Sequence, residues 1–78
     1  METEPGRVNI AEKLEKMRKE LILLRKSENL TQKEVALAIG ITPQSYQAYE
    51  SGNAVPTLQN FIRLAAFFDV SANDLLDN

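Results

Sequence analysis

The 78-residue sequence contains no cysteine and no histidine. These two absences remove disulfides, thiol nucleophiles, imidazole bases and the usual zinc ligands together. No metal or cofactor is therefore expected, and no convergent acid, base and nucleophile can be assembled from what is left, so an enzyme is not expected either. No small-molecule substrate is evident. Glycine and proline are scarce, at three each, which is not the composition of a linker or a disordered tract. No window approaches the roughly 18 consecutive apolar residues of a membrane span, and residues 1–6 are acidic without an apolar stretch. A cytoplasmic protein with no membrane partner is the expectation.

Positive charge is also short. Nine basic residues against eleven acidic ones give a net charge of −2, which argues against a nucleic-acid partner, because phosphate neutralisation usually leaves a basic footprint. The charge is uneven. Eight of the nine basic residues precede Glu34, and only Arg63 follows it.

What is present is helical. At this length one core is expected, in a single domain over residues 9–78 behind a flexible N-terminus at residues 1–8. Asn9 to Glu12 has the form of a capping box, and Ile10, Leu14, Met17, Leu21 and Leu24 then recur at steps of four and three, one apolar stripe on a helix ending near Ser27 or Glu28. Ile22 and Leu23 make its last turns apolar nearly all round, which reads as enclosure by other helices before it reads as contact with a partner chain.

Thr31 to Glu34 is a second capping box, opening a short helix that carries Val35, Ala36, Ala38 and Ile39 and stops at Gly40. Thr42 caps the next helix with Pro43 at its first position, and Gly52 ends it. After a loop around Pro56, Thr57 caps a helix in which Leu58, Phe61, Ile62, Leu64, Ala65 and Phe68 form a broad apolar face. Ser71 to Asp74 is a third capping box, opening a final helix with Leu75 and Leu76. The fold class is all-α, with five helices.

Two short helices joined by a glycine-centred turn, over residues 31–52, have the form of a helix-turn-helix, whose second helix can lie in a DNA major groove. An ordinary corner in a small bundle fits the same periodicity. Residue types favour the first reading. Tyr46 and Tyr49 share one side of the second helix, while Pro43, Gln44, Gln47 and Ala48 point elsewhere with no apolar duty. A glutamine amide can pair with adenine N6 and N7, and an alanine methyl can touch thymine. Gln32 stands at a helix N-terminus, where its amide and unpaired backbone N–H groups can hold a phosphate oxygen, with Lys33 beside it. Arg25 and Glu50 are placed to meet and fix the angle between the first and third helices.

Leu24-Arg25, Leu30-Thr31-Gln32, Gly40-Ile41-Thr42, Tyr49-Glu50-Ser51-Gly52, Pro56-Thr57-Leu58, Leu64-Ala65 and the run from Val70 to Leu76 together resemble the phage repressor and Cro-type helix-turn-helix family over about residues 21–76. The resemblance implies a compact five-helix, lambda-repressor-like domain, bacterial or phage-encoded, usually binding double-stranded DNA as a homodimer. It implies base reading by Pro43, Gln44, Gln47 and Ala48, phosphate binding by Gln32, and an interhelical salt bridge between Arg25 and Glu50. Tyr46 and Tyr49 match core positions, with hydroxyls that could emerge beside the phosphates. The phosphate-side set is taken as Gln32, Lys33, Thr42, Ser51 and Asn53.

The sequence departs from the family in three places. Asn53-Ala54-Val55 stands where Lys or Arg often follows the glycine, and Pro43 replaces a hydrogen-bonding residue. The first helix also extends about three turns beyond the usual start, through Ile10, Leu14 and Met17 with Lys13, Lys16, Arg18 and Lys19 alongside. That extension suits either a dimer seam or packing on the last helix. The expected function is a small sequence-specific transcriptional regulator, in the sense of a repressor. The alternative is a protein-interaction module, antitoxin- or antirepressor-like, that keeps the scaffold with weak or no DNA binding.

Overall fold

The computed structural model describes residues 9–77, so the flexible N-terminus expected at residues 1–8 lies outside the described residues. Five helices follow one another: α1 (Ile10–Ser27), α2 (Gln32–Ile39), α3 (Pro43–Ser51), α4 (Leu58–Phe68) and α5 (Ala72–Asp77). Among the described residues there is no strand, and no helix is long and apolar enough to cross a membrane.

The boundaries are chemical. At Thr31 the hydroxyl accepts from the Glu34 amide at 3.0 Å while the Glu34 carboxylate accepts from the Thr31 amide at 2.8 Å, and the Ser71–Asp74 pair repeats this reciprocal arrangement. Asn9, Thr42 and Thr57 each accept from the amide three residues on. These contacts satisfy donors that a helix start leaves unpaired.

Three helix ends close on their own backbone. After α1, α2 and α4 the chain turns through a left-handed residue, respectively Asn29, Gly40 and Asp69, and the next amide bonds back five residues: Leu30 to Arg25, Ile41 to Ala36 and Val70 to Ala65. Gly40 adopts this conformation without strain, and Asn and Asp tolerate it better than most side chains do. Gly52 is also left-handed, but the end of α3 is built differently, as described below.

One core serves all five helices. Met17 and Leu21 of α1 meet Val35, Ala36 and Ile39 of α2, Tyr46 and Tyr49 of α3, Leu64, Ala65 and Phe68 of α4, and Leu75 of α5. The extension of α1 packs along α5, which favours the second of the two arrangements its sequence allowed. Two expectations need correction. Leu23 is 63 % exposed and Ile22 is only partly covered, so the last turns of α1 are not enclosed. On α4 the buried stripe runs through Leu64, Ala65 and Phe68 with Phe61 packed against it, whereas Leu58 and Ile62 face outward, Leu58 at 74 % exposure. Periodicity identifies residues that share a face, but the width of that face depends on how far the neighbouring helices reach across it.

Candidate nucleic-acid interface

α3 has nine residues and two faces. At 100° per residue, positions 46, 49 and 50 fall together, position 43 lies at their edge beside 50, and positions 44, 47 and 48 fall on other sides. Tyr46, Tyr49 and Glu50 are buried. The two tyrosine rings meet edge to face with centroids 6.3 Å apart, a favoured aromatic geometry.

Glu50 is a carboxylate 4 % exposed, and such a charge needs partners. Arg25 provides two charge-assisted hydrogen bonds, Nε donating to Oε2 at 2.7 Å and Nη2 to Oε1 at 3.0 Å. Arg25 also donates from Nη1 to the Leu30 carbonyl at 2.9 Å, tying the pair to the turn between α1 and α2. The interhelical bridge expected from the sequence is therefore present, and it is bidentate. Burial alone would push the Glu50 carboxyl up. The hydrogen bonds from Arg25 and Gln32 and the Arg25 charge outweigh that effect and hold it below its ordinary value.

The tyrosine hydroxyls do not emerge beside a phosphate surface. Tyr46 is fully buried, and its hydroxyl lies within electrostatic reach of Glu50 and Arg25 but makes no hydrogen bond of ordinary geometry. Burial first, and the Glu50 carboxylate second, push its pKa far above the usual phenol value. The Tyr49 hydroxyl accepts from Asn60 Nδ2 at 3.0 Å, which joins α3 to α4. Both hydroxyls are directed inward by the packing of α3.

The outward face is different in kind. Gln44 and Gln47 are exposed and make no hydrogen bond among the described residues; Pro43 and Ala48 beside them are half-buried. Two free amides, each with a donor and an acceptor on one plane, stand on a helix whose other side is fixed. Thr42 closes the near end as the cap, its hydroxyl accepting from the Ser45 amide at 3.1 Å and donating to Ser45 Oγ at 2.9 Å. At the far end Ser51 Oγ donates to the Ala48 carbonyl and accepts from the Asn53 amide. Thr42, Ser51, Asn53 and Lys33 are all exposed.

Gln32 is half-buried and already engaged: its Nε2 donates to Glu50 Oε1 at 2.9 Å. One amide hydrogen and the side-chain oxygen remain for another partner. The residue thus links the start of α2 to the Arg25–Glu50 pair, which its type alone did not disclose.

Two further residues take part that sequence reasoning did not assign. Asn60 reaches Tyr49 as described. Arg18, which the sequence shows only as one of several basic residues alongside the α1 extension, donates from Nη1 to the Glu50 carbonyl at 3.1 Å. Its Nε and Nη2 are held by Glu15 one turn earlier on α1. The available signal was spacing. Arg18 precedes Arg25 by two turns on one helix face, but nothing local pointed it at a main-chain atom 32 residues away.

Comparisons with known proteins bear on this geometry. The family model described as "Helix-turn-helix" matches residues 21–75. The chain is 38 % identical over 60 residues to the cryptic phage CTXphi transcriptional repressor RstR of Vibrio cholerae, covering 77 % of this chain and 54 % of that protein. It is 34 % identical over 59 residues to an HTH-type transcriptional regulator of Methanocaldococcus jannaschii, covering 76 % of this chain and 89 % of that one. Among solved structures, the SOS-response transcriptional repressor LexA from Eubacterium rectale superposes with a TM-score of 0.79 at 26 % identity, covering 85 % of this chain and 70 % of that one. The chain spans about half the length of the phage repressor and of YobD, a Bacillus subtilis regulator 40 % identical over 53 residues that cover 68 % of this chain and 47 % of its own.

Proposed function

The chain belongs to the helix-turn-helix family matched over residues 21–75, a family of DNA-binding regulators and not of enzymes, and from that premise we propose that it reads duplex DNA sequence as a transcriptional repressor. α3 enters the major groove with Gln44 and Gln47 as amide readers and Pro43 and Ala48 as apolar contacts at base edges. The carrying observation is the asymmetry of α3: both glutamines are exposed and without partners among the described residues, on a helix locked from inside by Glu50. The remaining Gln32 hydrogen, the first backbone N–H groups of α2, Lys33, Thr42, Ser51 and Asn53 supply the phosphate side.

That phosphate side is thin for a chain of net charge −2. A homodimer offsets this deficit, because the second half-site binds at the effective concentration set by the first. The surface proposed for the second copy is an apolar groove of about 270 Å³ that includes Leu14, Val55, Leu58, Phe61 and Leu76. Its rim exposes Leu58 and Val55 to solvent, and a second copy would cover them. Leu58→Glu is expected to shift the protein to monomer in sedimentation equilibrium and to weaken binding at paired half-sites more than at a single one.

Selection of bound duplexes from a random pool is the direct test. An enriched pseudo-palindrome is expected, with log affinity falling against log salt by about 0.9 per phosphate contact, a shallow slope if contacts are few. Gln44→Ala with Gln47→Ala should abolish enrichment while leaving the fold unchanged. A pool that yields no enriched sequence overturns the reading and favours the protein-interaction alternative.

A further inference from the structure

We infer that Arg18 is a positioning residue for α3, a brace that belongs to the extended first helix and lies outside the matched helix-turn-helix region of residues 21–75. The inference rests on the proposal that α3 reads DNA. It begins from the helix ends. α1, α2 and α4 each close with a left-handed residue and an amide bonding back five positions. At the end of α3, the Gly52 and Ala54 amides both bond to the Ala48 carbonyl. The carbonyl of Glu50 receives its hydrogen bond from another helix, through Arg18 Nη1 at 3.1 Å.

The seat is shaped for this side chain. A Cβ placed on Gly52 would lie 3.5 Å from Arg18 Cδ and 3.9 Å from Nε, so the arginine stem rests against the open face of the glycine. Glu15 holds the other side of the guanidinium through Nε and Nη2. A cation at the carboxyl end of a helix also meets the negative end of its dipole.

Arg18 and Arg25 stand two turns apart on one helix and grip opposite chemical ends of one residue. Arg25 holds the Glu50 carboxylate, and Arg18 holds the Glu50 carbonyl. A side-chain hold alone lets the last turn of α3 fray, and a main-chain hold alone lets the helix roll about its axis. With a side-chain radius of ~5–6 Å, a roll of ~10° moves an outward amide by ~1 Å, enough to spoil hydrogen bonds at a base edge. The two arginines together restrict both movements, and Gln44 and Gln47 ride on the result.

The test uses Arg18→Met, which keeps the stem on Gly52 and removes the donors, and Arg18→Lys, which keeps a charge and a donor. In free protein, Arg18→Met should raise amide hydrogen exchange at Gly52 and Ala54 while leaving Val35 and Ile39 unchanged. On a selected operator it should weaken binding roughly three- to tenfold, the range of one hydrogen bond, with non-specific affinity and the salt slope unchanged. Arg18→Lys should recover part of the loss. If specific and non-specific binding fall together and the salt slope drops by about one, Arg18 contacts phosphate and the inference is wrong. Unchanged exchange at Gly52 and Ala54 also overturns it. Failure of the wild-type protein to select any duplex defeats the DNA reading separately, and exchange in free protein still decides whether Arg18 holds α3.

Discussion

On its inward face α3 presents Tyr49 and Glu50, which hydrogen-bond to side chains on α1, α2 and α4, whereas on its outward face Gln44 and Gln47 make no hydrogen bond among the described residues. The same nine residues therefore carry two separate duties. Orientation is set by groups that no ligand would touch, and contact chemistry is offered by groups that contribute little to orientation. Changes to the inner face should appear in stability and in affinity together. Changes to the outer face should appear in affinity alone.

The sharpest way to break this division is Arg25→Met. It leaves the Glu50 carboxylate buried without its bidentate partner, and the expected cost is about 3–5 kcal/mol in urea unfolding, with operator binding lost as well. Gln47→Ala is the complementary change. It should reduce discrimination between operator and mutated sites by about 1–3 kcal/mol while the urea midpoint stays where it was. A fall in stability as large as the fall in binding would show that the outer face is not independent.

Acid supplies a graded version of the first test. Because the folded Glu50 carboxyl is held below its ordinary value near 4.5, its contribution is fully present above that pH and is lost as pH falls through the folded value. Stability measured from pH 6 downward should decline from about 4.5, and Glu50→Gln should flatten that part of the profile. A profile unchanged in the variant would mean that other carboxylates dominate acid unfolding.

The smallest expected effect lies away from both faces. Asp69 is left-handed and places a negative charge at the carboxyl end of α4. Asp69→Gly should stabilise by about 0.5–1 kcal/mol, read as a rise of about 2–8 °C in Tm, without altering operator affinity.

The features legible in the sequence are those with short range. The capping boxes at Thr31 and Ser71, the turn at Gly40 and the proline at the first position of α3 each depend on residues within four positions of one another, and all appear where expected. The Arg25–Glu50 bridge spans 25 residues and was still legible, because two opposite charges stood out on helices whose packing was already expected. Arg18 was not legible, since its target is a backbone carbonyl, and a carbonyl leaves no mark in a sequence. The inward turn of the tyrosine hydroxyls and the exposure of Leu23, Leu58 and Ile62 depend on how far neighbouring helices extend, which periodicity along one helix does not encode. For the proposed interface, residue types singled out Gln44 and Gln47, but the prior engagement of Gln32 with Glu50 needed three-dimensional placement.

The freedom of Gln44 and Gln47 has a consequence on an evolutionary scale. Side chains that hold no partner among the described residues can be exchanged without first acquiring a compensating change there, so mutations at positions 44 and 47 meet little purifying selection from that part of the fold. With α3 reading DNA as proposed, a duplicated copy of this gene could drift at those two positions and acquire a different target within a few substitutions. Arg25, Gln32 and Glu50 would have to be inherited as a set.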